Sequence, residues 1–141
     1  MKPAGALIAM LMLWPASLLA AAPCVGDFDA FITRFERDPG FQRQTTLYPL
    51  DFSFLDRTSR EKPRTVKLAL TRKAAAARDD LDFPGAAQQQ SVPLLRAQKC
   101  GQPNACVVAF DQDGVDTHSI RFSFGLRRGC WRLVGIANIS Q

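Results

Sequence analysis

The sequence predicts an α+β domain in which helices come first and a mostly antiparallel β-sheet follows. Three observations carry that prediction. Phe28, Phe31, Ile32 and Phe35 fall at i, i+3, i+4 and i+7, the spacing of one continuous helical face. In the last third of the chain Ile120, Phe122, Phe124 and Leu126 alternate with Ser119, Arg121, Ser123 and Gly125, the period of a strand with one face on a core. The same third divides into three strands, Cys106–Asp111, Thr117–Leu126 and Cys130–Ala137. Gln112-Asp113-Gly114 and Arg127-Arg128-Gly129 are the turns between them.

Residues 1–21 read as a secretory signal. Lys2 supplies the positive region, Ala6–Ala20 is an uncharged apolar run, and the small residues Ala20, Ala21 and Ala22 offer the cleavage site. The run falls short of the roughly 20 apolar residues of a membrane span, and Pro15 would bend one. Pro23 is an awkward residue just past a cut after Ala22, so cleavage after Ala20 or Ala21 is preferred. A lipid-attachment reading of Cys24 fits less well, because Ala21 stands where leucine is expected and Pro23 where a small residue is expected. The chain then consists of one domain, residues 22–141, large enough for a real core. It has no transmembrane helix after the leader and is expected to be periplasmic or secreted.

The first element of that domain is a helix over about Asp27–Arg37, with Asp27 as N-cap. Asp38-Pro39-Gly40 ends it, and Asp38 can cap a second short helix to about Gln44, with Pro39 in its first turn. Thr45–Phe54 is extended and rich in Leu47, Tyr48, Leu50, Phe52 and Phe54; Pro49 restricts it to an edge position or a bend. Asp56–Pro63 is a polar loop. Arg64–Thr71 alternates as a strand, with Val66, Leu68 and Leu70 on the core face. Arg72–Asp80 contains four consecutive alanines at 74–77 and favours a short helix. Leu81–Ser91, with Phe83-Pro84-Gly85 and three glutamines, reads as a loop, and Val92–Gln98 as a further strand interrupted early by Pro93.

All four cysteines, Cys24, Cys100, Cys106 and Cys130, lie beyond the leader. An even count in an exported domain reads as two disulfides. Cys100–Cys106 with Cys24–Cys130 is the favoured pairing, since the first closes the Gly101–Ala105 turn. Cys24–Cys100 with Cys106–Cys130 is the alternative. The spacing lacks the paired C-x2-C knuckles of a zinc site, so no metal and no cofactor is expected. The formal net charge is +5, of which Lys2 supplies one unit. This is too mild a balance to argue for nucleic acid, and export argues further against it.

Two segments carry a family resemblance. Phe28-x-x-Phe31-Ile32-x-x-Phe35, Asp38-x-x-Phe41-Gln42 and Tyr48-Pro49-Leu50 open the domain. Phe122-x-Phe124 and Gly129-x-Trp131-x-Leu133-x-x-Ile136 close it. Together they resemble secreted bacterial domains of unknown function with the nuclear-transport-factor-2-like (NTF2-like, cystatin-like) fold, and Asp56–Gln98 matches in outline only. The resemblance implies a strongly curved sheet that wraps the N-terminal helices into a cone whose mouth can hold a ligand. It implies no activity, because the fold hosts enzymes and binders alike. Enzyme members use an Asp/His pair inside the cone, and no such pair aligns here.

The chemistry-bearing candidates are few. His118 is the only histidine and the one side chain with an unperturbed pKa near neutrality. Asp116 precedes it, with Asp113 and Asp111, so a carboxylate-oriented general base can be drawn. The competing reading is a hairpin turn in which Asp and Gly serve the backbone. The same Asp111–Asp116 stretch fails the calcium-loop pattern, since Phe122 stands at position twelve. Arg57, Arg60, Lys62, Arg64 and Lys67 begin a run of eight basic residues that ends at Arg78 and contains only Glu61 as an acid. Such a run suits a docking surface for an anionic partner, or a solvated face that protects a sheet edge. Tyr48, Trp131 and the ten phenylalanines fit a core better than a stacking platform. The sequence therefore favours a non-enzymatic exported binding domain for a protein partner or a small ligand, such as an inhibitor of an envelope enzyme or toxin. The alternative is a small hydrolase or isomerase that uses His118 with a nearby Asp.

Overall fold

The computed structural model describes residues 21–58, 62–91, 94–112 and 118–140. The secretory-signal segment 1–20 therefore lies outside the described residues, as do Arg60, Asp113, Asp116 and Pro93. Helix α1 (Phe28–Phe35) starts where the Asp27 carboxylate accepts the Ala30 amide at 2.8 Å. Helix α2 (Pro39–Thr45) starts where Asp38 accepts the Phe41 amide at 2.9 Å, with Pro39 in the first turn where its missing N–H costs nothing. Strand β1 (Thr46–Asp56) follows without a loop, then β2 (Arg64–Leu70). Helices α3 (Arg72–Ala76) and α4 (Ala86–Ser91) intervene before β3 (Leu94–Gln102), β4 (Ala105–Gln112), β5 (Ser119–Arg127) and β6 (Cys130–Asn138).

The six strands form one mixed sheet in the order β2-β1-β6-β5-β4-β3. Only the β1–β6 pair is parallel; the other four pairs are antiparallel. The β5–β6 turn carries Arg128 at φ 51° and Gly129 at φ 76°, the two left-handed positions of a tight hairpin. Pro49 marks a bend rather than an edge. Its strand is interior, the β1–β6 register shifts between Thr46 and Asp51, and the β2 ladder begins only at Leu50.

One face of the sheet carries the core. Phe28, Phe31, Ile32 and Phe35 of α1 and Phe41 of α2 pack on Leu50, Phe52, Val108, Phe110, Phe122, Phe124, Trp131, Leu133 and Ile136. The rings interlock. Phe31 lies 5.4–5.7 Å from Phe35, Phe41 and Phe124, and Phe83 lies 4.7–5.3 Å from Phe35, Phe110 and Phe122. Such pairs add about 0.5–1.5 kcal/mol each beyond the area they bury.

Two disulfides pair Cys24 with Cys130 and Cys100 with Cys106, and among the described residues no cysteine is free. The first ties the segment before α1 to the β5–β6 turn. There the Trp131 amide donates to the Val25 carbonyl, the Trp131 indole N–H to the Gly26 carbonyl and Arg132 to the Pro23 carbonyl. The second clips the β3–β4 hairpin. Both accord with an oxidising compartment. Among the described residues no helix is long and apolar enough to cross a membrane.

Three expectations need correction. The helices do not simply precede the sheet: the short helix expected from Arg72 is present as α3, ending at Ala76, and α4 is a second mid-chain helix. Leu81–Ser91 is not a loop throughout: Pro84 and Gly85 precede α4 instead of interrupting it, and the Gln89 amide and side chain bond the Gly85 and Pro84 carbonyls. On β2, Leu70 is buried and Val66 half-buried, but Leu68 is 41 % exposed, because β2 is an edge strand and its core face is only partly covered.

Candidate functional site

A cavity of about 480 Å³ opens between α2, α3, the Leu81–Phe83 segment and strands β1, β5 and β6. Its floor is apolar and buried: Phe35, Leu50, Phe83, Phe122, Leu133 and Ile136. Beyond Arg72, the α3 wall presents no more than the methyl groups of Ala75 and Ala76. Around the more exposed edge stand Arg43, Tyr48, Arg72, Arg78 and Asp82.

Local structure sets each of these groups. Thr71 caps α3 by accepting the Ala74 amide on its hydroxyl at 3.2 Å, which fixes Arg72 in the first turn. The Arg72 guanidinium sits 4.7 Å from the centroid of the Tyr48 ring. Arg78, just beyond α3, lies 4.5 Å over the Phe52 ring and forks onto Asp80, with Nε donating to one carboxylate oxygen at 2.8 Å and a second nitrogen to the other. That paired hydrogen bonding holds the Asp80 carboxyl below the usual carboxylate range against a smaller desolvation effect, and raises Arg78. Arg43 projects from the last turn of α2. Gln42 and Thr46 also line the cavity, but both are already engaged: Gln42 donates to the Phe35 carbonyl at 2.6 Å and Thr46 to the Gln42 carbonyl at 2.7 Å.

Of the catalytic and partner-binding candidates singled out from sequence, those among the described residues are placed elsewhere. His118 is exposed just before β5, its carbonyl accepting the Gln112 amide at 2.9 Å, and it does not line the cavity. Asp116 falls outside the described residues. Arg57, Lys62, Arg64 and Lys67 are exposed, and Arg60 falls outside the described residues. These cations do not share one face. Arg64 pairs with Asp56 on the side of Val66 and Leu70, whereas Lys67 pairs with Ser53 on the opposite side. Thr58, donating its amide and hydroxyl to Asp56, lowers that carboxyl, with Arg64 adding a smaller effect.

Arg72 and Arg78 belong to the same basic run, yet the structure delivers them to the cavity, where they meet Arg43, Tyr48 and Asp82. Sequence reasoning counted Arg72 and Arg78 as charge and gave Arg43 no role. The available signal was their position beside the alanine-rich helix. Among the described residues no group of three or more His, Cys, Asp or Glu side chains is arranged to hold a metal ion.

Comparison with known proteins places the architecture. No family model matches the chain, and no curated protein matches it by sequence. Among solved structures it is similar to an NTF2-like protein from Bacteroides fragilis, with a TM-score of 0.58 and 19 % identity over 82 % of this chain. This chain spans 47 % of that protein's length. It also matches a putative calcium/calmodulin-dependent protein kinase II association domain from Xanthomonas campestris, at a TM-score of 0.38 and 11 % identity, over 81 % of this chain and 82 % of that one. The first likeness and the six-stranded mixed sheet define the NTF2-like fold.

Proposed function

We propose that this protein is an exported, non-enzymatic binding domain that takes a small ligand in the mouth of an NTF2-like cone. The observation that carries the reading is the cavity of about 480 Å³ with an apolar floor and a charged edge. Ligand sites fall at roughly 300–1,000 Å³ and combine apolar walls with a few placed polar groups. Three of the five edge groups, Arg43, Arg72 and Arg78, suit holding rather than proton transfer. Arginine stays protonated at any working pH and cannot serve as a general base. Export is supported by the leader-like sequence of residues 1–21 and by two disulfides. The opposite facing of Arg64 and Lys67 favours a small ligand over a protein partner docked on the basic run.

The test is to purify the protein from an oxidising compartment, denature it and identify released small molecules by mass spectrometry. Ala76→Trp adds an indole at an exposed position of the wall and is chosen to fill the cavity. The reading predicts a molecule released from the wild type and missing from the folded Ala76→Trp protein. Equal release from both, or no release together with no melting shift from a broad ligand panel, would count against it. A ligand at 100 times its Kd stabilises the folded state by about 2.7 kcal/mol.

A further inference from the structure

We infer that the cavity selects an amphiphilic organic anion, with its acidic head held by Arg43 and Arg72 and its apolar body on the phenylalanine and leucine floor. This rests on reading the cavity as a ligand site. Three guanidiniums line it against one carboxylate, Asp82. They are not equivalent. Arg78 is answered by Asp80 and pinned over Phe52, so it serves as wall. Among the described residues, Arg43 and Arg72 have no carboxylate within ion-pair distance. Their charges are therefore open to a ligand.

Placement strengthens them. A cation beside low-dielectric walls acts more strongly than one in bulk water, because field lines concentrate in the cleft. Phe35, Phe122 and Leu133 supply that wall. Arg72 is held in place by its stack on Tyr48, so less freedom is lost when it grips a head group. A guanidinium presents a planar fork that matches the two oxygens of a carboxylate or the oxygens of a phosphate monoester. A cationic amphiphile would meet repulsion at the same edge, and a neutral one would leave both forks without a charged partner.

The experiment is isothermal titration of the folded, oxidised protein with four ten-carbon probes below their micelle concentrations: decanoate, decyl phosphate, decanol and decyltrimethylammonium. The inference predicts that at least one anion binds ten- to a hundredfold tighter than decanol, the range for a charged hydrogen-bonded contact, with no binding of the cation. Comparing decanoate with decyl phosphate tells which head fits the two forks. Arg43→Gln and Arg72→Gln should each weaken the preferred anion about tenfold and leave decanol unchanged, whereas Arg121→Gln, exposed and outside the cavity, should change neither. If decanol or the cation binds as tightly as the anions and Ala76→Trp abolishes that binding, the cavity is a ligand site but the anion selectivity is wrong. If no probe binds, the selectivity is also overturned, while the ligand-release test still decides the cavity reading by itself.

Discussion

Removing the Cys24–Cys130 bridge should cost far more stability than removing Cys100–Cys106, although both link exposed cysteines to the same sheet. A cross-link acts mainly by shrinking the unfolded ensemble, and its effect grows with the closed loop. The two bridges span sequence separations of 106 and 6. The chain-entropy relation then gives about 4.7 kcal/mol for the first and about 2 kcal/mol for the second. The folded state should survive the first loss. Trp131 and Arg132 still bond the Val25, Gly26 and Pro23 carbonyls at 2.8–3.0 Å, which keeps the Pro23–Gly26 segment on the β5–β6 turn. Cys24→Ser and Cys100→Ser are the suitable variants, because each removes an exposed sulfur and leaves the less exposed partner in place. The assay is urea unfolding at pH 5, where little thiolate is present and exchange is slow. For a domain of this size about 4 °C of melting temperature accompanies each kcal/mol, so Cys24→Ser should melt about 15–20 °C below wild type. Equal losses for the two variants, or a loss under about 2 kcal/mol for Cys24→Ser, would refute the argument from loop length. The unreduced, denatured wild type should meanwhile contain no titratable thiol.

Other perturbations follow from the same contacts. Phe83→Ala should destabilise by about 3–5 kcal/mol in denaturant unfolding, since that ring joins the mid-chain segment to Phe35, Phe110 and Phe122. Asp80, whose pKa is depressed in the folded state, stabilises above the ordinary carboxylate value of 3.8, and that contribution is lost as pH falls through its lower folded pKa. Asp80→Asn should accordingly flatten the acid limb of the stability curve below about pH 4. The neutral-pH cost should stay under about 1 kcal/mol, because the pair is partly solvated. Lys67→Glu should shift stability by no more than about 0.5 kcal/mol, and a larger change would show that its head is not free in solvent.

Much of the fold was legible because it rests on local rules. The Phe28–Phe35 face, the Asp27 and Asp38 caps, the Arg128-Gly129 turn and the alternation of β5 each depend on a few adjacent residues. The favoured disulfide pairing followed from the short loop that Cys100–Cys106 closes. Helix α4 was not legible, since Ala86–Ser91 buries nothing and so has no apolar period to read. The partial exposure of Leu68 depends on what covers an edge strand, which alternation within the strand does not encode. The cavity was hidden for the same reason. Its floor draws on α1, β1, β5, β6 and the Phe83 segment, and its cations come from α2 and both ends of α3. From sequence, Arg72 and Arg78 were two more charges in a basic run. His118, by contrast, stands out in the sequence as the single histidine with aspartates before it, and its exposed position shows how little a residue type says without its surroundings.

Backbone amide NMR reads where a ligand sits on the protein. A titration of the isotope-labelled, oxidised protein with decanoate should move the amides of Arg72, Ala75, Ala76, Phe122 and Leu133, which surround the cavity. Those of the exposed outer strand β3, such as Leu95 and Lys99, should stay still. Saturable shifts confined to the first group are the predicted result. Shifts centred on β3 or on the Arg57–Lys67 region, with the cavity amides unmoved, would contradict the account.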